Sequence, residues 1–385
     1  MRWLERSAWA VLLLLVALLS VEVTVRLDDW AQHGVPLTEG ANSLDDLMVR
    51  DSLGVHARAS TRFRQFRINS LGFRGAEVSA RALDTAKVIV VSGASETFGL
   101  YESDGKEWPR QLEDSLAMRC ASRPVVLNAA FAGMSLPTVE QDVRVRIASL
   151  RPDLVVYYPT PMQYLEGERP TPAERSTTPP VLASQSRLRS PPRFRDAAKR
   201  IAPEALLDAM RVWFTRRMRA ETGIAVRQEA PAAMRDAFEH DLRRLVGAIR
   251  GTGAQAALVV HQNRFRDRTT IEEQRLLRAW ERFYPLYSAD AILSFDEYAA
   301  KRTAAVAADS GVILVDPTLL LRAEPTPPFA DFSHYTDRGS GIVAGAVARG
   351  LTSVLCAAGT VQVPAPGDGT TGQSESERHG LPARE

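Results

Sequence analysis

The chain is poor in cysteine: 385 residues contain two, Cys120 and Cys356, and no CxxC pair. A zinc site needs several clustered thiolate or imidazole ligands, so no metal site is expected. Charge of one sign is also missing. Lys plus Arg number 48 against 46 Asp plus Glu, a net +2, which gives no global case for nucleic acid as a partner. No G-x-G-x-x-G follows the first apolar strand, which argues against a Rossmann-type nucleotide protein and leaves no cofactor expected. Histidine is scarce, at six. What remains is ordinary globular composition, 45% hydrophobic and 24% charged. The length suits one large domain with a sizeable insertion.

The N-terminus reads "MRWLERSAWAVLLLLVALLSVEVTVRL", with Arg2 and Arg6 before an apolar run from Ala8 to Val21. A cleaved signal would end in small residues spaced A-x-A, and "LLSVEV" is a poor fit. Residues 1–27 are therefore expected to be an N-terminal transmembrane anchor, helical from Trp3 to about Leu27, with a signal sequence as the alternative. Arg2 and Arg6 would stay cytoplasmic, placing the remainder outside the inner membrane, periplasmic or on the outer face.

Residues 28–80 read as a juxtamembrane lead-in with short extended pieces, among them "RINSLGFRG" (Arg67–Gly75). Beyond it, β-branched runs at 87–91, 124–130, 153–158, 256–261 and 311–316 alternate with helical patterns at 106–119, 136–149, 235–250, 270–309 and 337–356. Five apolar strands separated by helices imply an α/β fold, a parallel sheet covered on both faces. Residues 81–358 form that domain. It is interrupted at 165–234 by a Pro- and Arg-rich insertion with a helix expected near 203–220, and followed at 359–385 by a tail of disordered composition.

Ligand crevices of such sheets lie at the carboxyl ends of the strands. The reactive residues there are Ser95, the segment Asn128–Gly133, "YPTPMQ" (Tyr158–Gln163), His261, and Asp331 with His334. His33, His56, His240 and His379 fall in the lead-in, a polar loop, a charged helix and the tail. Asp331, three residues before His334, can reach Nδ1 and leave Nε2 facing outward, as a general base for serine requires. Asp331 or Ser333 capping the last helix is the competing reading, as is Ser95 capping the helix after the first strand. His261 could line the crevice or be a satisfied strand-end histidine.

These segments resemble the SGNH (GDSL-type) hydrolases. "VVSGASETFG" is similar to their first block, "VVLNAAFAG" to the second, "RPDLVVYY" to the strand entering the third, and "DFSHYTDRGSGIVAGAVA" to the last. "RINSLGFRG" is similar to the lead-in of membrane-anchored bacterial members. The resemblance spans roughly residues 65–165 and 235–356. It implies a three-layer α/β/α flavodoxin-like fold with a five-stranded parallel sheet. It further implies Ser95 as nucleophile, His334 as base, Asp331 as its orienting partner, and the N–H groups of Ser95 and Gly133 as oxyanion donors. Ala94 stands where the family usually has Asp. In the third block Pro161 falls about where the family has Asn, so Gln163 or Asn128 would have to supply the amide. Asn128 and His261 are expected to line the substrate crevice.

In a flavodoxin-like order the helices ending at Cys120 and Cys356 lie side by side, which leaves open whether the two are bridged or free thiols in an exported protein. The insertion's Arg run beside Trp213 and Phe214 suits contact with anionic lipid or an acidic glycan, or a lid over the catalytic edge. The function implied is a serine esterase or acyl-transfer enzyme acting on an acylated small molecule or cell-envelope glycan. The alternative is a catalytically weakened domain that binds a glycan or envelope partner.

Overall fold

The computed structural model describes residues 2–34, 36–38, 43–166, 213, 216–217, 225–265 and 270–356. Nearly all of the expected insertion, its helix near 203–220 and the tail lie outside the described residues.

The first helix, α1 (Arg2–His33), is long and apolar enough to cross a membrane. Its most apolar 18-residue stretch, within Trp9–His33, has a mean hydropathy of 2.3 and is unburied. It runs six residues past the expected Leu27. The polar end is continued by i,i+4 pairs, Arg26 to Glu22 at 2.7 Å and Gln32 to Asp28 at 2.6 Å. That end docks on the domain, where Arg64 Nε bonds the buried Asp29 at 3.1 Å and Arg62 donates to the His33 carbonyl.

Two antiparallel hairpins follow, β1 (Met48–Asp51) with β2 (Gly54–Ala57) and β3 (Thr61–Phe63) with β4 (Phe66–Ile68). They are not a loose lead-in: Leu47, Val55, Phe63, Phe66 and Ile68 are part of one of the two main hydrophobic clusters. After α2 (Ala80–Thr85) come the strands β5 (Val88–Ser92), β6 (Val125–Asn128), β7 (Leu154–Tyr157), β8 (Gln255–Val259) and β9 (Ile313–Val315). They pair in parallel in the order β6-β5-β7-β8-β9. This is the flavodoxin-like order, with its switch point beside β5.

Period-two alternation assigns the strand residues to two faces. Val88, Val90, Val155 and Leu258 join one cluster, with Phe238, Leu242 and Leu245 of α7 (Ala232–Gly251) and Ile292 and Phe295 of α9 (Ala289–Ser310). Ile89, Val91, Val156 and Val259 join the other, with Leu112 and Leu116 of α4 (Trp108–Ala117) and Val343 and Val347 of α11 (Asp337–Leu355). Each fully buried Leu or Val contributes roughly 1.5–3 kcal/mol. The fold class is thus the expected α/β arrangement with helices on both faces of a five-stranded parallel sheet.

The remaining helices are α3 (Ser95–Phe98), α5 (Leu136–Asp142), α6 (Gln163–Glu166), α8 (Ile271–Glu281) and α10 (Thr318–Arg322). The single helix expected at 136–149 is α5 followed by a π-helical turn, Val143–Ile147, and a 3-10 turn, Ala148–Leu150. Side-chain caps set several starts: Ser135, Thr270, Ser288 and Thr336 each accept a backbone N–H of the first turn. The helices α4 and α11 pack side by side, and Cys120 is joined to Cys356 in a disulfide with a Cα–Cα distance of 4.9 Å.

Candidate active site

The strand β5 ends at Ser92, and the next residue, Gly93, has no room for a side chain. A Cβ on Gly93 would stand 2.4 Å from Thr97 Oγ1 and 2.8 Å from the Tyr158 carbonyl. The backbone then turns at Ala94, which occupies the N-cap position of α3 without a side-chain bond, so Ser95 is the first residue of the helix rather than its cap. Ser95 is half-buried and borders a cleft of about 640 Å³ at the carboxyl ends of the strands. A groove of equal volume at the opposite edge is lined by Lys87, Arg151 and Asp153, with Lys87 and Asp153 paired at 2.6 Å, and by none of the candidate site residues.

Asp331 and His334 line the same cleft. His334 Nδ1 lies 2.9 Å from Asp331 Oδ1 and 2.8 Å from Oδ2, and Oδ1 also accepts the backbone N–H of Ser333 and of His334. The last helix is capped by Thr336, not by Asp331 or Ser333. His334 Nε2 is buried and makes no hydrogen bond. Burial alone would lower the His334 pKa. The bond to Asp331 and the charges of Glu96, Asp331 and Glu102 outweigh it and raise the pKa above the ordinary 6.5. The rings of Tyr101 and Phe332 flank the imidazole at 5.2 and 5.9 Å.

Gly133 and Gln163 also border the cleft. Gly133 holds φ +86°, which an L side chain rarely adopts, although nothing crowds the space where a Cβ would sit. Gln163 opens α6, and its Oε1 is buried without a partner. Two expectations need correcting. Asn128 does not face the cleft: its Nδ2 donates to the Thr97 carbonyl at 3.1 Å and its Oδ1 accepts from Ala130 N at 3.2 Å. Both ends of its amide are used in shaping the turn. His261 does not line the cleft either. It lies 3% exposed, behind Glu96, with Nδ1 2.5 Å from Asp296 Oδ1.

The group that sequence reasoning missed is Glu96. Its carboxylate is buried and accepts from Ser95 Oγ at 3.2 Å, Thr160 Oγ1 at 3.0 Å and Ser333 Oγ at 3.0 Å. His261 Nε2 stands 3.9 Å from Glu96 Oε1, an ion pair rather than a hydrogen bond. Burial would push Glu96 up, but His261, with His334 beyond it, holds it at about 2. Burial would push His261 down, but the charge and hydrogen bond of Asp296, then Glu96, raise it to about 10. His261 thus lies between two carboxylates, and Asn263 Nδ2 bonds the outer one at 2.6 Å. Asp296 could have been noticed: it falls between Ile292 and Ala299 on the apolar face of α9, where a carboxylate needs a partner.

"RINSLGFRG" also reaches the site from below. Arg74 is buried between the rings of Phe66 and Phe98, each 5.0 Å from its guanidinium carbon. It donates to the Phe98 and Gly99 carbonyls at the end of α3, pairs with Glu107 at 3.3 Å, and its N–H bonds the Asn128 carbonyl at 2.9 Å.

No family model matches the chain, and no curated protein matches it. Solved structures similar to it include LAE5, an alpha/beta hydrolase enzyme from the metagenome of Lake Arreo, Spain. The two are 14% identical with a TM-score of 0.41, covering 70% of this chain and 96% of that one. Axe2, an acetylxylan esterase from Geobacillus stearothermophilus, is 12% identical at a TM-score of 0.41, covering 69% and 94%. The lipase/acylhydrolase from Enterococcus faecalis is 13% identical at 0.41, covering 69% and 96%. Likeness at this level carries no argument about chemistry; the fold class rests on the strand order above.

Proposed function

We propose that the protein is a serine hydrolase of SGNH type acting on ester bonds, with Ser95 as nucleophile, His334 as base and Asp331 orienting it. The observation that carries this reading is the Asp331–His334 pair, which leaves an unbonded Nε2 in the cleft that Ser95 borders. With Nδ1–H bonded to Asp331, Nε2 is the basic nitrogen. Ser95 Oγ attacks the ester carbonyl carbon while its proton passes to Nε2. The oxyanion takes backbone N–H groups of Ser95 and Gly133, and Gln163 is the side-chain amide available where the family has Asn. The C–O bond then breaks as Nε2 returns the proton to the leaving alcohol, giving an acyl-Ser95 that water, or a sugar hydroxyl, resolves by the same steps.

An acylated cell-envelope glycan is the substrate we would test first. Tyr101 and Phe283 on the cleft wall are 57% and 50% exposed, which suits stacking on a sugar face. Helix α1 and the Cys120–Cys356 disulfide support a membrane-anchored protein whose catalytic domain faces an oxidising compartment. The second reading, a weakened domain that binds a glycan or envelope partner, draws on Pro161, which stands in the third block where the family has Asn.

A fluorophosphonate probe separates the two. Stoichiometric labelling of Ser95, abolished in Ser95→Ala and His334→Ala, is the expected result. Absence of labelling in the native chain would favour the binding reading.

A further inference from the structure

The serine, the histidine and the third-block turn sit on three separate segments, and one carboxylate ties them together. Ser333 Oγ, next to His334, donates to Glu96 Oε1; Thr160 Oγ1, at the start of the turn carrying Gln163, donates to Oε2; and Glu96 itself follows Ser95. The carboxylate is held from behind by His261 and Asp296, both buried and neither in the cleft wall. No peptide bond or helix fixes the distance between these segments.

We propose that Glu96 is a positioning residue for ester cleavage: its carboxylate sets the Ser95, His334 and Gln163 segments in register, and the His261–Asp296 pair fixes the carboxylate. This rests on the serine-hydrolase reading above. Ser95 Oγ also donates to Glu96 Oε2 at 3.2 Å, so the resting hydroxyl is oriented by Glu96 until it turns to Nε2. A neutral side chain in its place would keep an acceptor but lose the charge. A hydrophobic one would free three hydroxyls at once.

Two consequences separate positioning from packing. The charge of Glu96 acts on His334 together with those of Asp331 and Glu102, so removing it should lower the pH at which His334 becomes a competent base. Removing one clamp bond while keeping the charge should slow the reaction and leave that pH in place.

The test is the rate of Ser95 labelling by the fluorophosphonate between pH 5 and 9, in the full chain and in Glu96→Gln, Ser333→Ala and Thr160→Val. Glu96→Gln is expected to label up to about a hundredfold more slowly, the scale of a small misplacement of reacting groups, with its acid limb moved to lower pH. Ser333→Ala and Thr160→Val should each slow labelling less and keep the native limb. Should Glu96→Gln fail to fold, the other two variants decide: native rates in both overturn the proposal. It is equally overturned if Glu96→Gln labels at the native rate with the native limb while wild type labels normally. No labelling of wild type would instead remove the serine-hydrolase reading, and this proposal with it.

Discussion

Asp331 meets His334 with both carboxylate oxygens, 2.9 and 2.8 Å from Nδ1, and one of those oxygens also accepts the histidine's own backbone N–H. The pair is therefore rigid in two ways: the ring cannot rotate without losing Asp331, and Asp331 cannot leave without unwinding the turn. Asp331→Asn keeps an oxygen for the backbone but offers an N–H to Nδ1, which selects the wrong tautomer. Ser95 labelling should fall on the order of 10³–10⁴-fold, with a near-native melting temperature by circular dichroism. An unchanged labelling rate would remove Asp331 from the mechanism.

The pH profile follows from the same pair. Because the folded pKa of His334 is raised, the imidazole is neutral, as the proposed base must be, only above a pH higher than 6.5, and that form is lost as the pH falls through it. The acid limb of labelling should lie above 6.5. A limb at or below that value would show that Asp331, Glu96 and Glu102 do not outweigh burial.

Stability should depend on the buried ion cluster with opposite signs at its two ends. Glu96 contributes fully above its ordinary 4.5, and the contribution is lost as pH falls toward about 2. His261 contributes fully below its ordinary 6.5, and the contribution is lost as pH rises through about 10. Together they favour a plateau between pH 4.5 and 6.5. In urea denaturation across pH 5–10, the advantage of wild type over His261→Gln should shrink from 6.5 upward; a constant difference would mean that His261 is neutral in the fold.

Much of this was legible in the chain. The runs at 87–91 and 153–158 are strands because β-branched residues without polar alternation suit burial on both faces, and the spacing of Asp331 to His334 does what it allows. The cluster behind the cleft was not. Glu96 in "SETFG" reads as an acid in a helix's first turn, where solvent would serve it. Its bonds come from Thr160 and Ser333, 64 and 237 residues away. His261 and Asp296 are 35 residues apart and meet only after α9 folds back on β8. Asn128 misled in a similar way: its amide donates to the Thr97 carbonyl, 31 residues away, and accepts from Ala130 N instead of facing the cleft.

Arg74 carries a further expectation. Arg74→Ala would leave Glu107 buried without its cation and the Phe98 and Gly99 carbonyls without a donor, a loss of about 3–5 kcal/mol. Arg74→Lys should recover only part, because an ammonium lacks the guanidinium's planar fork. Chemical denaturation checks both; a loss below about 1 kcal/mol for the alanine variant would make the pair incidental.

The disulfide closes a loop of 236 residues, which in the chain-entropy account stabilises by up to roughly 5 kcal/mol. Thiol titration of denatured, unreduced protein should find no reactive cysteine, and reduction should lower the melting temperature by on the order of 10 °C. Two reactive thiols before reduction would end the assignment.

The way β4 and the turn after it run beneath α3 has a practical corollary for truncation. A soluble fragment beginning at the first strand of the large sheet, residue 88, would keep every residue assigned to the chemistry. It would lack Arg74, the donor to the carbonyls that close the serine's own helix, and Phe66, one of the two rings that enclose it. A fragment meant to fold this site autonomously should start no later than Thr61, so that both strands of the second hairpin are kept.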